Sequence, residues 1–287
     1  MPELPEVETT KRLLEPHIIN KVISNIIFNR PNLRFDFPVM LQTNFNHVSI
    51  TALKRHGKYM LWHCDNDHSL IIHLGMTGRF LISDKHSIFP DFYYNNTINP
   101  IHEHCIFNFT DDKRISYYDP RRFGFFDYCK TSDLCDNKFL KILGIDGLNL
   151  IGQEHILYEK IKYKKSPIKN ILLNQSIIAG IGNIYASEAL WRAKIHPETT
   201  GDNLKLSHIN LLTKHINDIL LEAITGGGST LRDYRTPEGT TGHYQNAFKV
   251  YDCTGGKCSD MECIGEIQKI TQANRASFFC NLCQRKN

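Results

Sequence analysis

Met1-Pro2-Glu3-Leu4-Pro5-Glu6-Val7-Glu8 opens the chain, and these eight residues decide what the rest of it has to be built around. The stretch has no basic start and no apolar core, so it is not a secretory signal. Taken as residue types it is a helix start. Pro5 suits the first turn, and Glu6 and Glu8 complement the positive end of the helix. Its chemistry allows more. Removal of Met1 would leave Pro2 with a secondary α-amine that titrates near pH ~8, so a useful fraction is neutral close to neutrality. A secondary amine that attacks an aldehyde-like carbon becomes a cationic iminium, which is an electron sink for elimination. Glu3 beside it can supply or accept the proton. Such a nucleophile works only at the floor of a cleft, so the fold would have to be organised around residue 2.

The chain has 287 residues, 41% of them apolar, with a net charge of +4. That length gives one or two domains with an ample core. No apolar run approaches the length of a membrane span, and no membrane partner is expected. The mild basic balance is compatible with a polyanionic partner without requiring one. Five of the nine cysteines fall close together near the C-terminus: Cys253, Cys258, Cys263, Cys280 and Cys283. With no secretory signal, a terminal cluster of this kind reads as a metal site in a reducing compartment.

From the opening stretch outward, a first helix is predicted over 5–15, stopping before Pro16. Short β-branched segments follow at 21–28, 47–53, 59–64, 69–81, 104–110 and 114–118, the last two joined at Asp111-Asp112. Many short strands behind one helix predict a β-sandwich flanked by helices over 1–134. Residues 135–150 read as a linker with Gly144 and Gly147. From 151 to 248 the pattern is helical: Ile209, Leu212, Ile216, Ile219, Leu220 and Ala223 keep helical spacing. Gly226–Gly242 reads as a long loop, and 249–287 as a metal-held hairpin. The fold class expected is therefore α+β.

Cys258-x4-Cys263, sixteen residues, then Cys280-x2-Cys283 matches a structural tetrahedral zinc site of four thiolates. The two pairs are expected on two turns of a β-hairpin. Zinc would supply on the order of 10–16 kcal/mol of folding energy to a segment too short for its own core. Arg275 lies between the pairs, where it could meet a phosphate. Gly180-x-Gly182 followed by Asn183 places backbone amides at a helix N-terminus, a ready anion site. Lys162, Lys164, Lys165 and Lys169 add positive charge upstream of it. Asp119-Pro120-Arg121-Arg122-Phe123-Gly124 reads as an exposed turn. There an Arg could occupy the place of a missing base and a Phe could wedge between base pairs. Met76 by itself reads as core and Lys58 as a surface lysine, although the glycines around Met76 allow a tip position.

These pieces coincide in one family. MPELPEVET at the start, HLGMTG at 73–78, DPRRFG at 119–124, AGIGNIYASEALW at 179–191 and the final cysteine pairs occur in family order from Met1 to the end. The chain resembles the formamidopyrimidine-DNA glycosylases of the Fpg/Nei family, bifunctional base-excision enzymes. The resemblance implies that Pro2 is the nucleophile at C1′ of a damaged nucleotide and Glu3 the general acid at the sugar. Lys58 resembles the family lysine near the lesion phosphate. Met76, Arg121 and Phe123 resemble the three residues that fill the gap left by an everted base. Lys169, Asn183 and Arg275 resemble phosphate-gripping residues of a helix-two-turn-helix unit and a zinc-finger hairpin. His102 is similar to a phosphate-contacting histidine, and 229–244 to a loop that closes over an everted purine.

The resemblance further implies double-stranded DNA with oxidised bases or abasic sites as partner, one structural Zn2+ held by Cys258, Cys263, Cys280 and Cys283, and a monomer in the bacterial cytoplasm near the nucleoid. Two features depart from the family pattern. The first cysteine pair is C-x4-C where the family usually has C-x2-C. With Met1 retained, Pro2 is an amide nitrogen and cannot react. An endonuclease-VIII-like enzyme for oxidised pyrimidines, a non-catalytic zinc-finger binder of damaged DNA, and an architectural DNA-binding protein remain alternatives. The Leu4 of PELPE, the Met/Arg/Phe trio and the long loop favour the purine enzyme.

Overall fold

The computed structural model describes residues 1–84, 99–229, 237 and 242–286. Two compact units emerge from its contacts: Met1–Lys141 with Gly226–His243, and Ile142–Thr225 with Tyr244–Asn287.

In the first unit, helix α1 (Leu4–Ile18) precedes strand β1 (Val22–Phe28) and the short helix α2 (Leu41–Phe45). Strands β2 (Val48–His56), β3 (Tyr59–Cys64), β4 (His68–His73) and β5 (Arg79–Asp84) follow, then β6 (Glu103–Phe109), β7 (Lys113–Tyr118) and β8 (Phe125–Lys130). The strands hydrogen-bond in the order β5-β7-β6-β1-β2-β3-β4-β8, antiparallel throughout. β1 and β2 pair only through Val22↔Ser49 and Ile23↔Val48. The sheet folds over at that short junction. Trp62 of β3 lies 5.5 Å from Phe80 of β5 and 5.0 Å from Phe107 of β6, centroid to centroid. Tyr117 of β7 meets Phe126 of β8 at 5.0 Å. Strands so far apart in the order touch only if the two halves face each other, as the sandwich reading expects.

Two local expectations change. The stretch 69–81 is not one strand: it breaks into β4 and β5 at Gly75, whose φ is +68°. α1 does not stop before Pro16 but runs through it to Ile18. Proline inside a helix removes one hydrogen bond. Leu14 and Ile18 are fully buried on either side of it, and their packing outweighs that loss. α1 lies on β2 and β3.

In the second unit, β9 (Ile145–Asp146) pairs in parallel with β10 (Ile178–Ala179). Its helices are α3 (Glu154–Ile161), α4 (Ile168–Leu173), α5 (Asn183–Arg192) and α6 (Leu206–Thr225). Every apolar position that the spacing placed on one face of α6 is buried. Strands β11 (Ile267–Gln272) and β12 (Arg275–Cys280) form the C-terminal hairpin. Ala273 and Asn274 both have positive φ, as the turn of a tight two-residue hairpin demands. No helix among the described residues is long and apolar enough to cross a membrane.

Candidate active site and nucleic-acid interface

The chain's first residues cap a buried helix. Glu3 is the N-cap residue of α1, and Glu6 accepts the Glu3 amide at 2.8 Å, one half of a capping box. Pro2, Glu3 and Glu6 are all buried, while Met1 is half exposed. The other oxygen of Glu6 accepts the amide of Ser229 at 2.8 Å and its hydroxyl at 3.0 Å. A carboxylate in the first turn of α1 thus ties Glu3 to the segment that follows α6.

Glu8 does the corresponding work toward Lys58. It accepts Arg55 Nε at 3.0 Å, and Arg55 donates onward to the Gly57 carbonyl at 3.0 Å. Gly57, with φ +57°, and Lys58 form the two-residue turn between β2 and β3. Burial pushes the Glu8 carboxyl up, but Arg12, Lys11 and Arg55 outweigh it and hold it below the ordinary carboxylate range. Lys58 itself is buried. It immediately precedes β3, whose first residue, Tyr59, pairs with His73 at the end of β4. Burial first, then the charges of Lys58 and Arg34, push His73 down to about 3. His73 Nδ1 accepts the Gly75 amide at 3.0 Å, which requires the neutral ring.

The turns carrying Met76 and Arg121/Phe123 are built against each other. A Cβ on Gly75 would lie 2.3 Å from the backbone of Phe123 and Gly124. Asp119, fully buried, accepts the Thr77 hydroxyl on one oxygen and the Gly124 amide at 2.8 Å on the other. Thr77 Oγ1 in turn accepts the Arg121 amide at 3.1 Å. Above this buried base Met76 is half-buried and Arg121 and Phe123 are exposed, with the guanidinium 4.9 Å from the Phe123 ring centre. His102 joins the same turn, because its carbonyl accepts the Asp119 amide at 3.0 Å. The first unit therefore brings Met76, Arg121, Phe123 and His102 together. Most of the 229–244 loop lies outside the described residues.

The second unit gathers Lys169, Asn183 and the start of β12. Lys169 Nζ donates to the Ala276 carbonyl at 2.6 Å and to Ser277 Oγ at 2.7 Å, and Asn183 Nδ2 donates to the same carbonyl at 3.0 Å. Arg275, next in the chain, is exposed at the hairpin turn. Gln175 shapes the approach to α5: it accepts the Gly180 amide at 2.9 Å and donates to the Ile181 carbonyl at 2.9 Å.

Cys258, Cys263, Cys280 and Cys283 bring their Sγ atoms within 4.8 Å of one another. Four sulfurs around a tetrahedral ion at the usual Zn–S length of ~2.3 Å lie ~3.8 Å apart. The contacts Cys258–Cys283 at 3.6 Å and Cys263–Cys280 at 3.5 Å approach that spacing, so the cluster could hold a metal ion. The cysteines flank the open end of the hairpin rather than occupying its turn, which belongs to Ala273-Asn274. C-x4-C therefore changes the knuckle before β11 and leaves the four sulfurs together. Gly265 has no room for a side chain, as a Cβ there would lie 2.5 Å from Cys280 Sγ. Trp191 Nε1 donates to Cys258 Sγ at 3.4 Å. Glu188, buried on α5, accepts the amides of Lys249, Val250 and Tyr251, fastening the segment that enters the cysteine cluster.

Sequence reasoning missed Glu8, Arg55, His73, Asp119 as an anchor, and Glu188. Asp119 had a local signal, as the Asx residue opening a Pro-containing turn, and Glu8 had one only as a helix-end acid.

A sandwich headed by a buried Pro–Glu helix start, with a separate helical unit ending in a four-cysteine hairpin, defines a narrow class of proteins. Residues 1–126 match the family model described as the formamidopyrimidine-DNA glycosylase N-terminal domain, and residues 143–235 match its H2TH domain. The formamidopyrimidine-DNA glycosylase of Roseobacter denitrificans is 39% identical over 285 residues, covering 99% of this chain and all of that protein. A Lactococcus lactis Fpg variant in complex with Fapy-dG-containing DNA superposes with a TM-score of 0.86 at 36% identity, over 99% of this chain and all of that one. The wild-type Lactococcus enzyme in complex with DNA containing an oxidised pyrimidine gives 0.84 at 35%, with the same coverage. The chain belongs to the formamidopyrimidine-DNA glycosylase family, DNA-repair enzymes that also have AP lyase activity.

Proposed function

We propose that this chain excises oxidised purines, 8-oxoguanine and formamidopyrimidines, from double-stranded DNA and then cuts the strand by β,δ-elimination through a Schiff base on Pro2. The observation that carries the reading is family membership over the whole chain together with Pro2-Glu3 at the head of a buried helix. Removal of Met1 turns the Pro2 amide into a secondary amine. Its nitrogen forms a bond to C1′ as the glycosidic bond breaks and the base leaves. Glu3 protonates the ring oxygen, the sugar opens, and the cationic iminium results. Loss of a C2′ proton expels the 3′ phosphate, and a second elimination expels the 5′ phosphate, leaving a one-nucleotide gap.

In this reading Lys58 and His102 meet phosphates near the lesion, and Met76, Arg121 and Phe123 occupy the space of the everted nucleotide. Lys169, Asn183 and Arg275 grip the backbone from the second unit. Zinc is the metal that suits four thiolates at this spacing, and its role would be structural. The protein would act as a monomer on the bacterial chromosome, with the catalytic portion in 1–134, a linker at 135–150, the helix-two-turn-helix portion in 151–248 and the zinc hairpin in 249–287. The complex of the Lactococcus enzyme with DNA containing an oxidised pyrimidine supports binding of such lesions as well.

Borohydride trapping tests the reading. Protein lacking Met1 should form a covalent adduct with an abasic oligonucleotide, and Pro2→Gly should abolish it. Tight DNA binding without any adduct would make the chain a binder instead of an enzyme. Release of thymine glycol in preference to 8-oxoguanine would move it to the pyrimidine class.

A further inference from the structure

We propose that Thr77 and Asp119 are positioning residues that lock the Met76 turn and the Arg121/Phe123 turn into a single wedge. The proposal rests on the glycosylase reading above, in which those three side chains replace an everted nucleotide.

The two turns are far apart in sequence, yet one buried carboxylate brackets both ends of the second and reaches into the first. Asp119 Oδ1 receives the Thr77 hydroxyl, which itself accepts the Arg121 amide at 3.1 Å. Asp119 Oδ2 receives the Gly124 amide at 2.8 Å, on the far side of the tip. The Tyr117 hydroxyl donates to the Leu74 carbonyl at 3.2 Å, at the root of the Met76 turn, and lies 3.4 Å from Asp119 Oδ2. Leu74 also accepts the Gly78 amide at 2.9 Å, which closes that turn. His104 Nε2 donates to the Asp119 backbone carbonyl at 3.0 Å.

The polar base is dry: Thr77 is 6% exposed and Asp119 0%. The donors described at the Asp119 carboxylate are neutral, so its hydrogen bonds are directional rather than merely ionic. Packing reinforces them. The backbone at Gly75 leaves no space for a side chain against Phe123 and Gly124, and a Cβ on Gly78 or on Gly124 would strike the Tyr117 hydroxyl. The side chains that would enter the duplex rise from this base at a fixed spacing. A wedge of that kind inserts as a unit, so its alignment matters when a paired base has to be pushed out. It does not matter when there is no stack to enter.

That difference supplies the test. Thr77→Val keeps the shape of the side chain and removes the hydroxyl. Excision of 8-oxoguanine from a duplex should fall about 10- to 100-fold in kcat/KM, the scale expected when positioning slips by about an ångström. Borohydride trapping on a single-stranded abasic oligonucleotide should stay within about twofold of the parent, since no stack is entered there. Thr77→Ser, which restores the hydroxyl, should recover duplex activity to within about threefold. Asp119→Asn, which keeps an acceptor for the Gly124 amide, is the second variant and should show the same split. Unchanged duplex activity in Thr77→Val, or an equal loss on both substrates in both variants, overturns the lock. A parent protein that never traps overturns the enzymatic reading instead.

Discussion

At the scale of single residues, the site is held by side chains that do no chemistry. His73 shows how. Its Nδ1 is occupied by the Gly75 amide and its ring is stacked on Phe125, 5.3 Å between centroids, so a proton has no place there. Its folded value, about 3, lies below the ordinary 6.5. The unfolded chain therefore takes up a proton as pH falls below 6.5 while the folded chain does not, and stability drains away between 6.5 and about 3. Calorimetry should show the melting temperature falling from pH ~7 to ~4.5, and His73→Asn should flatten that slope even though it lowers the starting value. Gly75 gives a second expectation. Its positive φ and the 2.3 Å approach to Phe123 leave no room for a methyl group, so Gly75→Ala should cost about 2 kcal/mol or more in denaturant unfolding.

At the scale of elements, the C-terminal hairpin has two ends with different duties. The turn presents Arg275; the open end carries the sulfurs. Among the described residues Val250, Cys258, Ile267, Phe278 and Cys280 form its buried cluster, which is small for a segment of that length. A metal ion held by the four thiolates would then supply much of its order. A strong chelator should release one zinc per chain and abolish DNA binding, while near-ultraviolet circular dichroism from the sandwich aromatics persists. Glu188→Ala leaves three amides without their acceptor. It should lower the chelator concentration needed to strip the metal, read by a colorimetric zinc indicator.

The same scale shows what the sequence made legible. Six short β-branched or aromatic segments bounded by polar or glycine breaks covered seven of the eight sandwich strands, because strands such as β3 and β4 are buried almost along their whole length and read as apolar runs. β8 was missed: Phe125-Phe126-Asp127-Tyr128-Cys129-Lys130 runs from buried to exposed along its length and offers no alternation to read. The break between β4 and β5 was missed because the apolar residues on either side continue the strand pattern, and only the positive φ at Gly75 divides it. The four cysteines were legible as spacings, Lys169 as part of a lysine run and Asn183 as the residue after Gly180-x-Gly182, although the Ala276 and Ser277 groups they hold lie 93 to 108 residues further on. Arg55 and Glu188 were not, since a lone Arg or Glu carries no signal of the backbone it will hold.

At the scale of the whole molecule, charge does the recognising. Net charge is only +4, so affinity for a polyanion has to come from placed cations rather than from an overall field. Lys169→Gln and Arg275→Gln should each reduce the slope of log affinity against log salt by about one, and weaken binding to damaged and undamaged duplex alike. Filter binding between about 50 and 200 mM salt reads both effects.

The bond from Ser229 to Glu6 joins residues 223 apart, and the first unit takes in Gly226–His243 after the chain has passed through most of the second. A ribosome making ~5–20 residues each second reaches Ser229 on the order of ten seconds or more after Glu6 has emerged. During that interval the nascent amino terminus stays without its last tether. Release of Met1, on which the chemistry proposed for Pro2 depends, therefore need not wait for that bond to close.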